Sequence, residues 1–388
     1  MEKTMKKIQI LASTGAVALI TGLLSFSGAS AEENKNGNQS NGDSKNSTQE
    51  FKGSTTRSHG HPIANLSSSP AAGTSQDQKS FVNNDDENAE LNWQQWNKSN
   101  GKAVSKAAGT IAANPITYHS GGGVHVYSGA VQIIPIWVGT WNQTNKDLWS
   151  AKLSNLVTSL SPNNLTTAGH ILNTNLGYFT SNPPKAVVPT LSWTTSGTAA
   201  LSTTAKDKFG LFSVSDANVA TYINNAIKTM PALNSGVRPI YVYIGASNTR
   251  LSSGFGTAYC GWHSIGTLNG TSNIPYIAIQ DFPSTFNSNC SAQTVSPNNN
   301  VALDAMASVL VHEIDEALTD PDLATWFDGR GAENADKCAW TFGTTKAIGV
   351  AKYNFTANGT NYLIQRNWLS DNKVIDTVAG TACALTNP

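Results

Sequence analysis

Between Leu310 and Pro321 the chain reads LVHEIDEALTDP, which sets His312, Glu313 and Glu316 in the order H-E-x-x-E. On a helix, residues four apart stand one turn apart on the same face, so His312 and Glu316 can grip a single divalent cation. Glu313 then sits about 100° round the axis, placed to act as general base toward a water that the ion polarises. Zinc proteases use this geometry with H-E-x-x-H, and zinc accepts a carboxylate in place of the second imidazole. The exchange lowers the charge of the site and makes its water less acidic for a given ligand set. The bland rival is an acidic helix end that caps a basic patch. Two features weigh against it. The motif follows Met306, Ala307, Val309, Leu310 and Val311, so it emerges from an apolar segment in which ionisable groups must be paired or bound. From Leu91 to the end the chain holds only three glutamates, Glu313, Glu316 and Glu333, all in one short window.

The metal ligands by this reading are His312, Glu316 and a third group. Glu333, in GRGAENADKC, lies far enough past the helix for the chain to return, although it could instead cap a second helix. His263, in YCGWHS, is the alternative third ligand, or a donor to the reaction's oxyanion together with Tyr259. Asp320 is read as bracing the helix end with Thr319 and Pro321, and Asp336 as a group that orients His312. Calcium is the rival to zinc, because Asp315, Glu316, Asp320 and Asp322 crowd one stretch; hard oxygen ligands suit calcium, while His312 speaks for zinc.

These residues need elements to position them. Strands are expected at GGVHVYS, AVQIIPIWVG, AVVPTLSW, PIYVYIGA, IPYIAIQDF and NYLIQRNW, which are rich in β-branched and aromatic residues. Helices are expected at NKDLWSAKLSNLVTSL, at SDANVATYINNAIKTM with a Ser/Asp cap, and at NVALDAMASVLVHEIDEALTD. Near-continuous apolar strands point to a mixed α/β fold, a sheet covered on both faces by helices with a metalloprotease-like active-site helix, in one domain over 116–388.

Upstream, residues 1–31 read as a secretory signal peptide: Lys3, Lys6 and Lys7, an apolar run, then Ala29-Ser30-Ala31. An uncleaved anchor is the competing reading of that run. Residues 32–115 are rich in Asn, Ser, Lys and Gly, the composition of a disordered leader or propeptide. Within it His59 and His61, in SHGHP, read as solvated linker rather than as metal ligands, and ELNWQQWNKSN as a short docking segment. An exported chain makes disulfides the default for Cys260, Cys290, Cys338 and Cys383. Three pairings exist; local loop closure favours Cys260 with Cys290 and Cys338 with Cys383, and Cys260 with His263 as half of a zinc site is the alternative. Net charge is zero and only 13% of residues are charged, so nothing announces a nucleic-acid partner, and once the signal is cleaved nothing announces a membrane.

Six motifs together resemble a known family. YHSGG (Tyr118 to Gly122), IIPIWVGTW (Ile133 to Trp141), CGWHS (Cys260 to Ser264), HEIDEALTDP (His312 to Pro321), TWFDG followed by AENADKC, and LIQRNW (Leu363 to Trp368) are similar to the phosphate-induced protein 1 / EXORDIUM family of secreted proteins. The resemblance aligns His263, His312, Glu313, Glu316, Glu333 and Asp336 with that family's ionisable positions. It departs at Phe255 and Gly256, where the family usually carries another cysteine, and at Asp320, where it has Asn. The sequence therefore predicts an exported zinc-dependent hydrolase, a metallopeptidase acting on peptide or protein. The alternative is a secreted cell-wall or signalling protein that binds glycan or a protein partner, with a structural ion and with Trp262 and Trp326 as exposed aromatics.

Overall fold

The computed structural model describes the backbone of residues 59–62 and residues 115–386, apart from 120–125, 128, 162–169, 179–188, 195, 235–237, 253–254, 257–258, 284–289, 329–331 and 378–379. Residues 1–31, read above as a signal peptide, most of residues 32–115 and most of the GGVHVYS stretch lie outside the described residues.

Apolar runs build the central sheet. Its seven strands are β1 (His59–Pro62), β2 (Ala130–Val138), β3 (Thr190–Trp193), β4 (Gly197–Ala199), β5 (Pro239–Gly245), β6 (Tyr259–Leu268) and β7 (Thr271–Gln280). The order is β1-β6-β7-β5-β2-β3, with β4 also on β2. Strands β7, β5, β2, β3 and β4 pair in parallel, while β6 runs antiparallel to β7 and β1 antiparallel to β6. The result is a mixed sheet whose antiparallel margin carries His263.

Three helices cover it. The first, α1 (Gln143–Leu160), buries Trp149, Leu153, Leu156, Val157 and Leu160, a stripe at helical spacing, and Asn142 caps it by accepting from Asn145 N at 3.2 Å. The second, α2 (Val219–Thr229), buries Val219, Tyr222, Ile223, Ala226 and Ile227. No side-chain cap bond forms at its start; Asp216 instead accepts the Tyr259 hydroxyl at 3.0 and 2.8 Å. The third, α3 (Val301–Thr319), is capped by Asn300, which accepts from Leu303 N at 2.9 Å, and every residue from Ala302 to Thr319 is buried.

Two glycines of β6 show how the layers sit. A Cβ on Gly261 would meet Val309 of α3, and one on Gly266 would face Ala220 of α2. Alternate strand positions point to opposite faces, so α3 and α2 lie on opposite sides of the sheet, as the apolar strands implied. Odd-numbered positions 261 and 263 thus face α3.

YCGWHS, absent from the expected strands, is the first half of β6, with Gly261 tucked under α3. Likewise NYLIQRNW is not one strand. Only Thr360–Tyr362 and Asn367–Trp368 pair, and the segment between them serves α3, with Gln365 Nε2 donating to Ser308 Oγ at 3.2 Å. The expected disulfides form, Cys260 with Cys290 and Cys338 with Cys383, which removes the Cys260 zinc alternative.

Close approach at Gly261 is testable. A methyl there would sit 2.5 Å from Val309 Cγ1 and 3.2 Å from the Ala278 carbonyl. Gly261→Ala is expected to lower stability by roughly 1–3 kcal/mol through overpacking. Urea midpoints should show Gly261→Ala with Val309→Ala losing less than the sum of the two single changes, since the smaller side chain makes room.

Candidate metal centre

Helix α3 puts His312 and Glu316 on one face, and the described chain brings two further pieces to them. From β6 comes His263; from the segment after α3 come Glu333 and, at the start of the 3-10 turn Asp336–Cys338, Asp336. The Cys338–Cys383 disulfide anchors that turn.

The side chains stand at hydrogen-bond and ion-pair distances from one another. His312 Nε2 lies 3.0 Å from Glu316 Oε1 and 3.5 Å from Asp336 Oδ1. His263 Nδ1 lies 3.3 Å from Glu316 Oε2 and 3.3 Å from Glu313 Oε2, and His263 Nε2 lies 3.5 Å from Glu333 Oε1. Donors at about 2.1 Å from a tetrahedral ion stand roughly 3.3 Å from one another, so the spacing suits a small divalent cation. The ligand atoms form two overlapping groups, His312 with Glu316 and Asp336, and His263 with Glu316 and Glu333.

Every one of these groups is buried except Asp336, whose side chain is 14% exposed and gives the cluster its contact with solvent. Acid outnumbers base: Glu313, Glu316, Glu333 and Asp336 face two imidazoles. Burial disfavours imidazolium, yet Glu333, Glu313 and Glu316 outweigh it and hold His263 well above the usual histidine range. His312 is raised the same way, with Glu316 and Asp336 overcoming burial. Burial lifts Glu333 well above 4.5 and Glu313 to about 7, whereas His312 overcomes burial at Glu316 and lowers it. Glu316 is thus the most acidic of the three glutamates, and Glu313 and Glu333 are both held above the usual carboxylate range. Glu313 Oε1 has no hydrogen-bond partner among the described residues and lies beside Gly261.

The residues singled out from sequence divide as follows. His312, Glu313, Glu316, Glu333 and His263 converge. Glu333 stands next to His263 rather than His312, and the carboxylate beside His312 is that of Asp336, the group expected only to orient the ring. Asp336 N also donates to Glu316 Oε1 at 3.1 Å. Tyr259 is engaged at Asp216 and is not part of the cluster. Asp320 braces the helix end by accepting from Ala324 N at 2.7 Å and from Thr325 N. Asp322 accepts from Thr325 Oγ1 at 2.9 Å. Asp315 turns to the other side of α3, where Asn175 Nδ2 donates at 2.9 Å and Asn367 Nδ2 also donates, and burial pushes its carboxyl to about 8. The four acids that favoured calcium thus do not converge. Trp262 and Trp326, expected to be exposed, are both buried.

Sequence reasoning missed Asn175 and Asn367, the pair that satisfies Asp315. The only hint was Asn367 in the LIQRNW motif. Among the described residues no helix is long and apolar enough to cross a membrane.

The model of the phosphate-induced protein 1 conserved region matches residues 116–369, a span that contains α1 to α3, strands β2 to β7 and every member of the cluster. Neither curated proteins nor solved structures yield a significant match. With two thirds of its length under that match, the chain belongs to the phosphate-induced protein 1 family.

Proposed function

We propose that this protein is an exported zinc-dependent hydrolase that cleaves peptide bonds. The observation that carries the reading is the set formed by buried His312 Nε2, buried Glu316 Oε1 at 3.0 Å from it and partly exposed Asp336 Oδ1 at 3.5 Å from it. Those three residues would hold the ion, with Asp336 taking the place first given to Glu333. When bound, the ion supplies Lewis acidity to an attacking water and to a substrate carbonyl. Glu313 would take the proton from the attacking water and return it to the leaving amine; its Oε1 is buried without a hydrogen-bond partner among the described residues and lies over Gly261 of β6. His263, between Glu313 and Glu333, fixes the orientation of the base and offsets its charge. Zinc rather than calcium follows from the imidazoles and from the dispersal of Asp315, Asp320 and Asp322. Export rests on the signal-like start and two disulfides, which suit an oxidising compartment.

One observation favours the second reading, a wall-associated or signalling protein with a structural ion. His263, Glu316 and Glu333 are at most 1% exposed, as befits a closed site. An ion found with four protein ligands around it supports that version; three ligands and a solvent position support the hydrolase.

Two measurements test the hydrolase. Glu313→Gln is expected to keep its zinc and lose cleavage of a peptide library by on the order of 100- to 10,000-fold, and unchanged cleavage overturns the reading. His312→Ala and Asp336→Ala are each expected to lose bound zinc by elemental analysis. Chelation of the wild type should abolish cleavage and lower the melting temperature, because ligand binding to the folded state stabilises it. Full zinc content in His312→Ala would remove His312 from the ligands.

A further inference from the structure

The leader contributes a strand to the sheet at the very place where the cluster reaches its margin. β1 pairs antiparallel with β6, His59 opposite His263, Gly60 opposite Trp262 and His61 opposite Gly261. The pairing covers only Tyr259 to His263, with a register shift between His61 and Pro62, which pairs with Tyr259, and it leaves the rest of β6, through Leu268, outside it. Position 261 is where Glu313 Oε1 lies beside the strand, and 263 is the histidine of the cluster. β1 also comes close to α3.

β1 differs from the other strands of the sheet in one respect. The family match begins at residue 116, so it supplies β2 to β7 and leaves β6 as the margin of the sheet. A bare margin presents a row of N–H and C=O groups to any extended chain, and strand addition there gives affinity through the main chain with little demand on side-chain identity.

We propose that the margin of β6 from Tyr259 to His263 is the binding edge for an extended polypeptide substrate, and that residues 59–62 occupy it as an internal stand-in until they are displaced. The inference rests on the hydrolase reading for its substrate, but the docking itself does not depend on cleavage. A strand laid on this edge pairs with position 261, the residue over whose outer face the Glu313 carboxylate lies. The occupant is part of the same chain, so its effective concentration is on the order of millimolar, enough to compete with a weakly bound peptide. Removal of the leader would then raise activity without any change in the cluster.

The test uses the full exported chain with a specific protease site inserted after Ser69, cut only after folding. Hydrogen exchange of the backbone at 259–263 is followed before and after the leader piece is separated. Exchange there is expected to quicken on the order of tenfold on release, and to slow again when a synthetic peptide of residues 58–64 is added. Peptide-library cleavage at low substrate should rise by roughly tenfold in step, given the tether's competition. A chain with Gly60→Pro and His61→Pro is the independent check. Neighbouring strand residues aim their N–H groups to opposite edges, so the double change removes a donor toward β6 whichever one is used. Exchange at 259–263 that is unchanged after separation and in the proline variant overturns the proposal. Quickened exchange, restored by the peptide, with no cleavage by either form keeps the docking edge and overturns the hydrolase.

Discussion

Ionised carboxylates do not enter a protein interior uncompensated, and this fold places Glu313, Glu316 and Glu333 there at 0–1% exposure. Each answer the structure gives to that constraint is local and separate. Asp315 is met by two asparagine amides on one side of α3, and Asp320 by the backbone of the turn that follows. The three glutamates are met by two imidazoles, His263 beside all three and His312 beside Glu316. A surface helix would have left these groups to water and needed none of this.

The sheet explains why the groups can meet at all. Strands β6 and β7 lie under α3, and β6 returns antiparallel beside the outermost strand β1, so a side chain from β6 meets α3 near the edge of the sheet. Gly261 lets the strand approach until Val309 fills the space that its own side chain would take. Two residues further on, His263 lies on the same face and meets Glu313 and Glu316. The Cys260–Cys290 bridge holds the start of that strand. Position on the edge is therefore a consequence of one glycine and one reversal of strand direction.

Much of this was legible in the sequence. The apolar runs gave β2, β5 and β7, and the three- and four-residue spacing gave α1 and α3 within a residue or two. The H-E-x-x-E order named three of the converging residues because helix spacing is local. What was not legible is what depends on non-local packing. YCGWHS carries Gly and Cys where strands favour β-branched and aromatic residues, and its glycine serves contact with Val309, a partner nearly fifty positions away. Glu333 and Asp336 were both singled out, but only the turn pinned by Cys338 decides which of them stands by His312. His59 and His61 sat in a stretch too polar to build a core, and composition says nothing about a strand whose gain is a neighbour's unused edge.

The replacement of the usual second imidazole by Glu316 has a geometric reason. Its two oxygens serve different partners: Oε1 lies 3.0 Å from His312 Nε2 and accepts the Asp336 N–H at 3.1 Å, while Oε2 lies 3.3 Å from His263 Nδ1. An imidazole at 316 could offer one lone pair toward the cluster, and as a neutral group it would not hold a second histidine charged beside it. Only a carboxylate can stand between two histidines, tie the following turn to the helix through a backbone amide, and still keep its negative charge. A third histidine here would leave Glu313 and Glu333 competing for His263 without the anion that orients the ring between them. Glu316 is thus a bridge rather than a point: it joins the histidine of α3, the histidine of β6 and the backbone of the turn at Asp336.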